Sequence, residues 1–153
     1  MEIILLIIAF TGLIVLAIRV RQKPFYDYTE DYKKYNIPLI RMNIGSDMYN
    51  FLIDTGASFT LISDDVVEKH KEDFVITGMD ACITGIDGND VNSKYVYTEA
   101  SIDDTILQLP GILYSGERLK SMYEEVCLHG LLGYDFLERN GIKIDTENKK
   151  LVI

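Results

Sequence analysis

The chain has 153 residues, 48% of them hydrophobic, with ten Tyr and six Phe, which gives room for one packed domain. Its formal net charge is −9, and because residues 1–24 hold three basic residues and one acidic one, the remainder carries −11. A domain this acidic, with no basic patch, is not built to hold nucleic acid and would be repelled from an anionic membrane surface.

Ile3 to Ile18 is a nearly unbroken apolar run, interrupted at Thr11 and Gly12 and followed at once by Arg19, Arg21 and Lys23. As a helix it rises about 24 Å against a hydrocarbon core of about 30 Å, and Met1 with the snorkelling stems of Arg19 and Arg21 closes most of the gap. A cleaved signal peptide would carry its charges before the run and a small-x-small site after it. Here Glu2 precedes and Ile18-Arg19-Val20-Arg21 follows. The run therefore reads as an uncleaved transmembrane anchor with its basic flank over residues 1–22. A buried core helix is disfavoured by the abrupt stop from Arg19 to Pro24 and by the lack of an amphipathic stripe. The charge asymmetry places the N-terminus outside and the rest of the chain in the cytoplasm.

Residues 23–35 read as a juxtamembrane linker, since Phe25 to Tyr35 mixes Tyr, Asp, Glu and Lys without apolar periodicity. A domain is expected over residues 36–153. Ile40, Met42 and Ile44 alternate with Arg41 and Asn43, Gly45-Ser46-Asp47 makes a turn, and Met48 to Ile53 returns as a second strand. That strand delivers Asp54 into the elbow Asp54-Thr55-Gly56-Ala57-Ser58, after which Phe59 to Ser63 turns apolar again. A carboxylate between strand-forming hydrophobes is costly to bury unless hydrogen bonds hold it or chemistry uses it. Gly56 allows an unusual backbone conformation or a close approach, and Thr55 and Ser58 bring short hydroxyls.

Asp64 to Lys71 reads as a short surface helix, capped by Ser63 or Asp64, with Val66 and Val67 inward. Strands at Cys82 to Ile86 and Val91 to Tyr97 flank Asp87-Gly88-Asn89-Asp90, a strong hairpin turn. A calcium loop from Asp87 fails on spacing, because its sixth position is Asn92 and its twelfth is Thr98. Further strands are expected at Thr98 to Leu107 and Gly111 to Leu113, with Pro110 at an edge or bend. Glu117 to Val126 reads as an extra helix with Ser115 as its cap, able to shape a cleft or dimer surface or simply to cover a sheet edge. Asp135 to Asn140 reads as a short helix capped by Asp135 and stopped by Gly141, and Ile142 to Asp145 and Leu151 to Ile153 as a hairpin.

Two motifs carry a family resemblance. Asp54-Thr55-Gly56-Ala57-Ser58 after three apolar residues resembles the active-site loop of aspartic proteases. About 75 residues later, Leu131-Leu132-Gly133 is similar to the apolar-apolar-Gly element that crosses behind that loop in single-domain, retroviral-type members. The resemblance covers about Asn36 to Ile153. It implies an all-β, closed, barrel-like retropepsin domain with one or two short helices, here preceded by the transmembrane helix. It also implies a flap at Thr84 to Asn89, comprising Thr84, Gly85, Ile86, Asp87 and Gly88, although an ordinary surface hairpin is the alternative.

The implied activity is that of an aspartic endopeptidase, a hydrolase of peptide or protein substrates that uses no metal or other cofactor. Two carboxylates sharing one proton across a water are needed, and one chain supplies only Asp54, so the resemblance implies a homodimer with an Asp54/Asp54′ dyad. In that dimer Thr55 would brace the two loops, Gly56 would keep the backbone close to substrate, and Ser58 would bond the carboxylate from outside. Tyr134-Asp135 departs from the Arg-Asn usual in retroviral enzymes, so the salt bridge of that Arg is not carried over. The alternative is a catalytically silent dimer of the same fold that binds peptides or serves as a scaffold. The remaining reactive residues say less. Cys82 and Cys127 read as reduced core thiols, His70 and His129 lack a second ligand at metal spacing, and no Ser/His/Asp or Cys/His set assembles from the sequence.

Overall fold

The computed structural model describes residues 24–84, 90–123 and 125–153. The apolar run at 3–18 and its basic flank lie outside the described residues. Among the described residues no helix is long and apolar enough to cross a membrane.

Among the described residues ten strands and four short helices follow in order: β1 (Pro24–Asp27), α1 (Thr29–Tyr35), β2 (Leu39–Ile44), β3 (Asp47–Ile53), β4 (Leu61–Ser63), α2 (Asp64–Lys69), β5 (Val75–Thr84), β6 (Asp90–Ile102), β7 (Thr105–Tyr114), α3 (Gly116–Ser121), β8 (Gly130–Leu132), α4 (Tyr134–Arg139), β9 (Lys143–Asp145) and β10 (Lys150–Val152). Six strands form a ring in the order β2-β3-β8-β4-β7-β6, which closes where Asn43 of β2 pairs with Ser101 of β6. This is the all-β barrel with few short helices expected of a retropepsin. β5 hangs from the ring on β6, and a separate three-stranded sheet runs β1-β10-β9.

Burial on both faces explains the consecutive apolar residues of β2, β3 and β8. Ile40, Met42, Ile44, Phe51, Ile53 and Leu132 face the main core inside the ring. Leu39, Leu52 and Leu131 face the other way, into a second cluster completed by Ile37, Leu119, Val126 and Leu128. α3 and the chain after it therefore cover a sheet face beside the Asp54 loop, where the sequence pointed to a cleft, a dimer surface or a sheet edge. That helix is shorter than Glu117 to Val126, ending at Ser121. Val126 and Leu128 reach the second cluster beyond the helix, Val126 from a turn in which its N–H bonds Tyr123 O at 3.2 Å. Ser115 does cap α3, accepting the Arg118 N–H at 3.4 Å.

Several sequence expectations are corrected. Residues 24–35 are a built part of the fold and not a free tether. β1 pairs with β10, Tyr28 is 2% exposed in the main core, and Arg41 of β2 grips Asp31 of α1 with two bonds of 2.6 Å. These partners lie far along the chain, so the mixed polar pattern gave no local sign of them. β5 starts at Val75, seven residues before Cys82, with a register shift between Ile76 and Asp80. The strand expected across Thr98 to Leu107 is split by a turn in which Asp103 has φ 49°, joining β6 to β7. Pro110 sits within β7, opposite Tyr97. Ile112 gives its N–H to Thr60 O on the β4 side; Pro110, two residues earlier, has its hydrogen-free nitrogen on that same side before pairing with β4 begins, so no ladder bond is lost. Cys82 and Cys127 are both exposed free thiols, not core ones.

Candidate active site

The chain leaves β3 at Asp54 and re-enters the ring at β4, and β8 lies between these two arms, parallel to β3 and antiparallel to β4. Phe51, Leu52 and Ile53 pair with Gly130, Leu131 and Leu132 on one side; Leu61 and Ile62 pair with Leu131 and Gly130 on the other. The Leu131-Leu132-Gly133 element thus passes directly behind the Asp54 loop. Glycine is required there by space. A Cβ on Gly133 would lie 2.6 Å from Phe59 C and 2.7 Å from Phe59 O, and one on Gly130 would lie 2.5 Å from Leu61 O.

The loop itself is a tight turn in which Ala57 N–H bonds Asp54 O at 3.1 Å and Asp54 N–H bonds Leu132 O at 3.0 Å. Asp54 Oδ1 accepts the Gly56 N–H at 2.9 Å, a charge-assisted bond of about 1.5–3 kcal/mol. Gly56 is needed for this approach, since a Cβ would crowd that oxygen at 3.2 Å, while its φ is not in the left-handed region. Asp54 Oδ2 has no hydrogen-bond partner among the described residues, and Ser58 Oγ makes no bond to the carboxylate within this single chain. Asp54 is half-buried, whereas Thr55, Gly56, Ser58 and Phe59 are exposed and Ala57 is intermediate. Phe59, 49% exposed, rests edge-on against Tyr95 of β6 with ring centres 6.1 Å apart.

The inner side of the loop is bonded throughout. Tyr134 N–H reaches Ala57 O at 2.9 Å and Asp135 N–H reaches Ser58 O at 3.3 Å. Thr60, fully buried, gives both its N–H (2.9 Å) and its hydroxyl (2.7 Å) to Asp135 Oδ1, and its Oγ1 accepts the Gly133 N–H at 3.0 Å. Asp135 is therefore a brace on the loop. It is not the helix cap read from the sequence, since the N-cap position of α4 is Gly133. Thr60 was missed, and the available signal was a Thr in an apolar run, where a hydroxyl needs a partner.

Of the flap residues, Thr84 ends β5 and its hydroxyl bonds Asp90 Oδ1 at 2.8 Å; Gly85, Ile86, Asp87 and Gly88 lie outside the described residues. At the opposite end of β8 from Gly133, Cys127 Sγ lies 3.7 Å from His129 Nε2, a contact the sequence did not reveal. His129 Nδ1 accepts the Asn50 N–H at 3.2 Å, and burial lowers the affinity of the ring for a proton. His70 is held between Asp47, Tyr49 and Asp73. No group of three or more His, Cys, Asp or Glu side chains suited to a metal occurs among the described residues.

A search of curated proteins finds no significant match to the chain. Residues 40–139, from the second residue of β2 to the last of α4, match the family described as gag-polyprotein putative aspartyl protease. Because that span takes in the Asp54 loop, the β8 element behind it and the helix that braces both, the chain belongs to the gag-polyprotein aspartyl protease family.

Proposed function

We propose that the chain is an aspartic endopeptidase that works as a symmetric homodimer, with the two Asp54 carboxylates meeting across the two-fold axis. The observation that carries this reading is the asymmetry of the loop: its inner side is bonded to β8 and α4, while Thr55, Gly56, Ser58 and one oxygen of Asp54 remain available on its outer side. A second copy would supply the second carboxylate, which no partner among the described residues provides.

Two carboxylates so close share one proton. The ionised member takes a proton from the water between them as its oxygen attacks the scissile carbonyl carbon, and the protonated member gives its proton to the carbonyl oxygen. Collapse of the resulting diol breaks the C–N bond, with a proton passing to the departing nitrogen. The apolar run at 3–18 with Arg19, Arg21 and Lys23 behind it supports a membrane tether with this domain on the cytoplasmic side. Confinement to the membrane would raise the effective concentration of the two partners.

The test is cleavage of a random peptide library by the parent and by Asp54→Asn. Asparagine keeps the shape of the side chain and the acceptor for Gly56 N–H but cannot hold or move the shared proton. General acid and base work contributes about 100- to 10,000-fold each, so activity should fall at least 1,000-fold while sedimentation still shows a folded dimer. Parent activity should also rise more steeply than linearly with concentration near the dimer dissociation constant. Retention of activity within tenfold in Asp54→Asn, or linear activity from a monomer, would refute the reading. Peptide binding by a dimer that never cleaves would leave the silent binding module in its place.

A further inference from the structure

The loop from Asp54 to Thr60 is fixed at its start by the strand ladder, through Asp54 N–H to Leu132 O. Its second half is held by backbone bonds from Tyr134 N–H to Ala57 O at 2.9 Å, from Asp135 N–H to Ser58 O at 3.3 Å and from Ile112 N–H to Thr60 O at 2.9 Å. At Thr60 a side chain adds to these backbone bonds. Asp135 Oδ1 receives three donors: Thr60 N–H at 2.9 Å, Thr60 hydroxyl at 2.7 Å and Phe136 N–H at 2.8 Å. Thr60 Oγ1 is itself an acceptor for Gly133 N–H, so its hydrogen is committed to Asp135 and the direction of every bond is fixed. An ionised carboxylate, which only accepts, suits this convergence, and charge-assisted bonds of this kind are the strong ones.

We propose that Asp135 is a positioning residue for the reactive carboxylate, acting through Thr60 to hold the second half of the loop where Gly56 N–H meets Asp54. This rests on the peptidase reading above. Asp135 does not touch substrate; it fixes the platform on which Asp54 stands. A displacement of about 1 Å in such a platform can cost about 100-fold in rate.

The experiment compares Asp135→Ala, Asp135→Asn, Thr60→Val and Thr60→Ser in the full chain, by steady-state kinetics and by amide hydrogen exchange across residues 54–60. Asp135→Ala and Thr60→Val should lower kcat about 10- to 100-fold with KM within about threefold of the parent. Their double variant should be no worse than the more damaged single, because both break one chain of bonds. Asp135→Asn keeps the acceptor oxygen and Thr60→Ser keeps the hydroxyl, so both should stay within about threefold. Exchange at 54–60 should accelerate in Asp135→Ala and stay unchanged in the β6–β7 hairpin. Parent-like kcat in a folded Asp135→Ala overturns the proposal, as does equal damage from Asp135→Asn or full additivity in the double. If Asp135→Ala does not fold, Thr60→Val, which is nearly isosteric, decides by the same readings. A parent that cleaves nothing defeats the peptidase reading, and the exchange measurement then stands alone: parent-like exchange at 54–60 in Asp135→Ala would overturn the role of Asp135.

Discussion

Gly133→Ala tests the link between β8 and the Asp54 loop without assuming any activity. The added Cβ would sit 2.6 Å from Phe59 C, 2.7 Å from Phe59 O and 2.9 Å from Thr60 N, all backbone atoms that cannot rotate aside. Comfortable carbon–carbon separation is about 3.5 Å or more, so the two segments must part by close to 1 Å. Such a shift would stretch the 3.0 Å bonds from Asp54 N–H to Leu132 O and from Gly133 N–H to Thr60 Oγ1 beyond useful length. Overpacking costs about 1–3 kcal/mol and each weakened bond about 1 kcal/mol, giving about 3–5 kcal/mol in all, a large part of the stability of a domain this size. Two glycines serve as controls. Gly78 has no atom within 4 Å of a built Cβ and no positive φ, so Gly78→Ala should be near neutral. Gly141 also has open space but φ +64°, so Gly141→Ala should cost only the backbone strain, about 1 kcal/mol. Urea unfolding, read from the midpoint at constant slope, gives all three values. A Gly133→Ala loss no larger than that of Gly141→Ala would refute the reasoning.

Burial holds His129 below its ordinary value of 6.5, with Asp65 opposing and Lys120 assisting. The unfolded chain therefore takes up a proton there more readily, so the stability that neutral His129 gives is present above pH 6.5 and is lost as pH falls through the folded value. His129→Gln should show a smaller drop in urea midpoint than the parent between pH 7 and pH 5; equal drops would show that His129 has no part in the acid response. For the proposed cytoplasmic placement, protease added to intact cells or spheroplasts should leave the domain whole until lysis, and its digestion without lysis would put the domain on the other side of the membrane.

The strands around the site were legible because their signals are local. Ile40, Met42 and Ile44 alternate, Gly45 turns the chain with φ 58°, and the run into Asp54 is apolar on consecutive residues, as a strand buried on both faces must be. Turn residues at 45–46 and the stop at Gly141 were legible for the same reason. Elements failed where tertiary partners overrode local pattern. α1 shows no buried residue of its own, and what holds it is Arg41 reaching Asp31 and Tyr28 entering the main core. The extra helix was drawn too long because Val126 falls at helical spacing from Leu119, although it reaches the same cluster from a turn beyond the helix end.

By itself the sequence determined the turn of the loop and the partner element behind it, since Asp54-Thr55-Gly56-Ala57-Ser58 and Leu131-Leu132-Gly133 are short stretches whose residue types dictate a turn and a close backbone approach. Only the tertiary structure decided what secures that loop. Thr60 and Asp135 lie 75 positions apart, and their bond exists because β8 lies between the arms of the loop and leads into α4. The meeting of Asn50 with both Cys127 and His129 likewise follows from β3 lying beside β8. Periodicity and turn chemistry act between neighbours along the chain, whereas a side-chain bond across a barrel is fixed only when distant strands have taken their register.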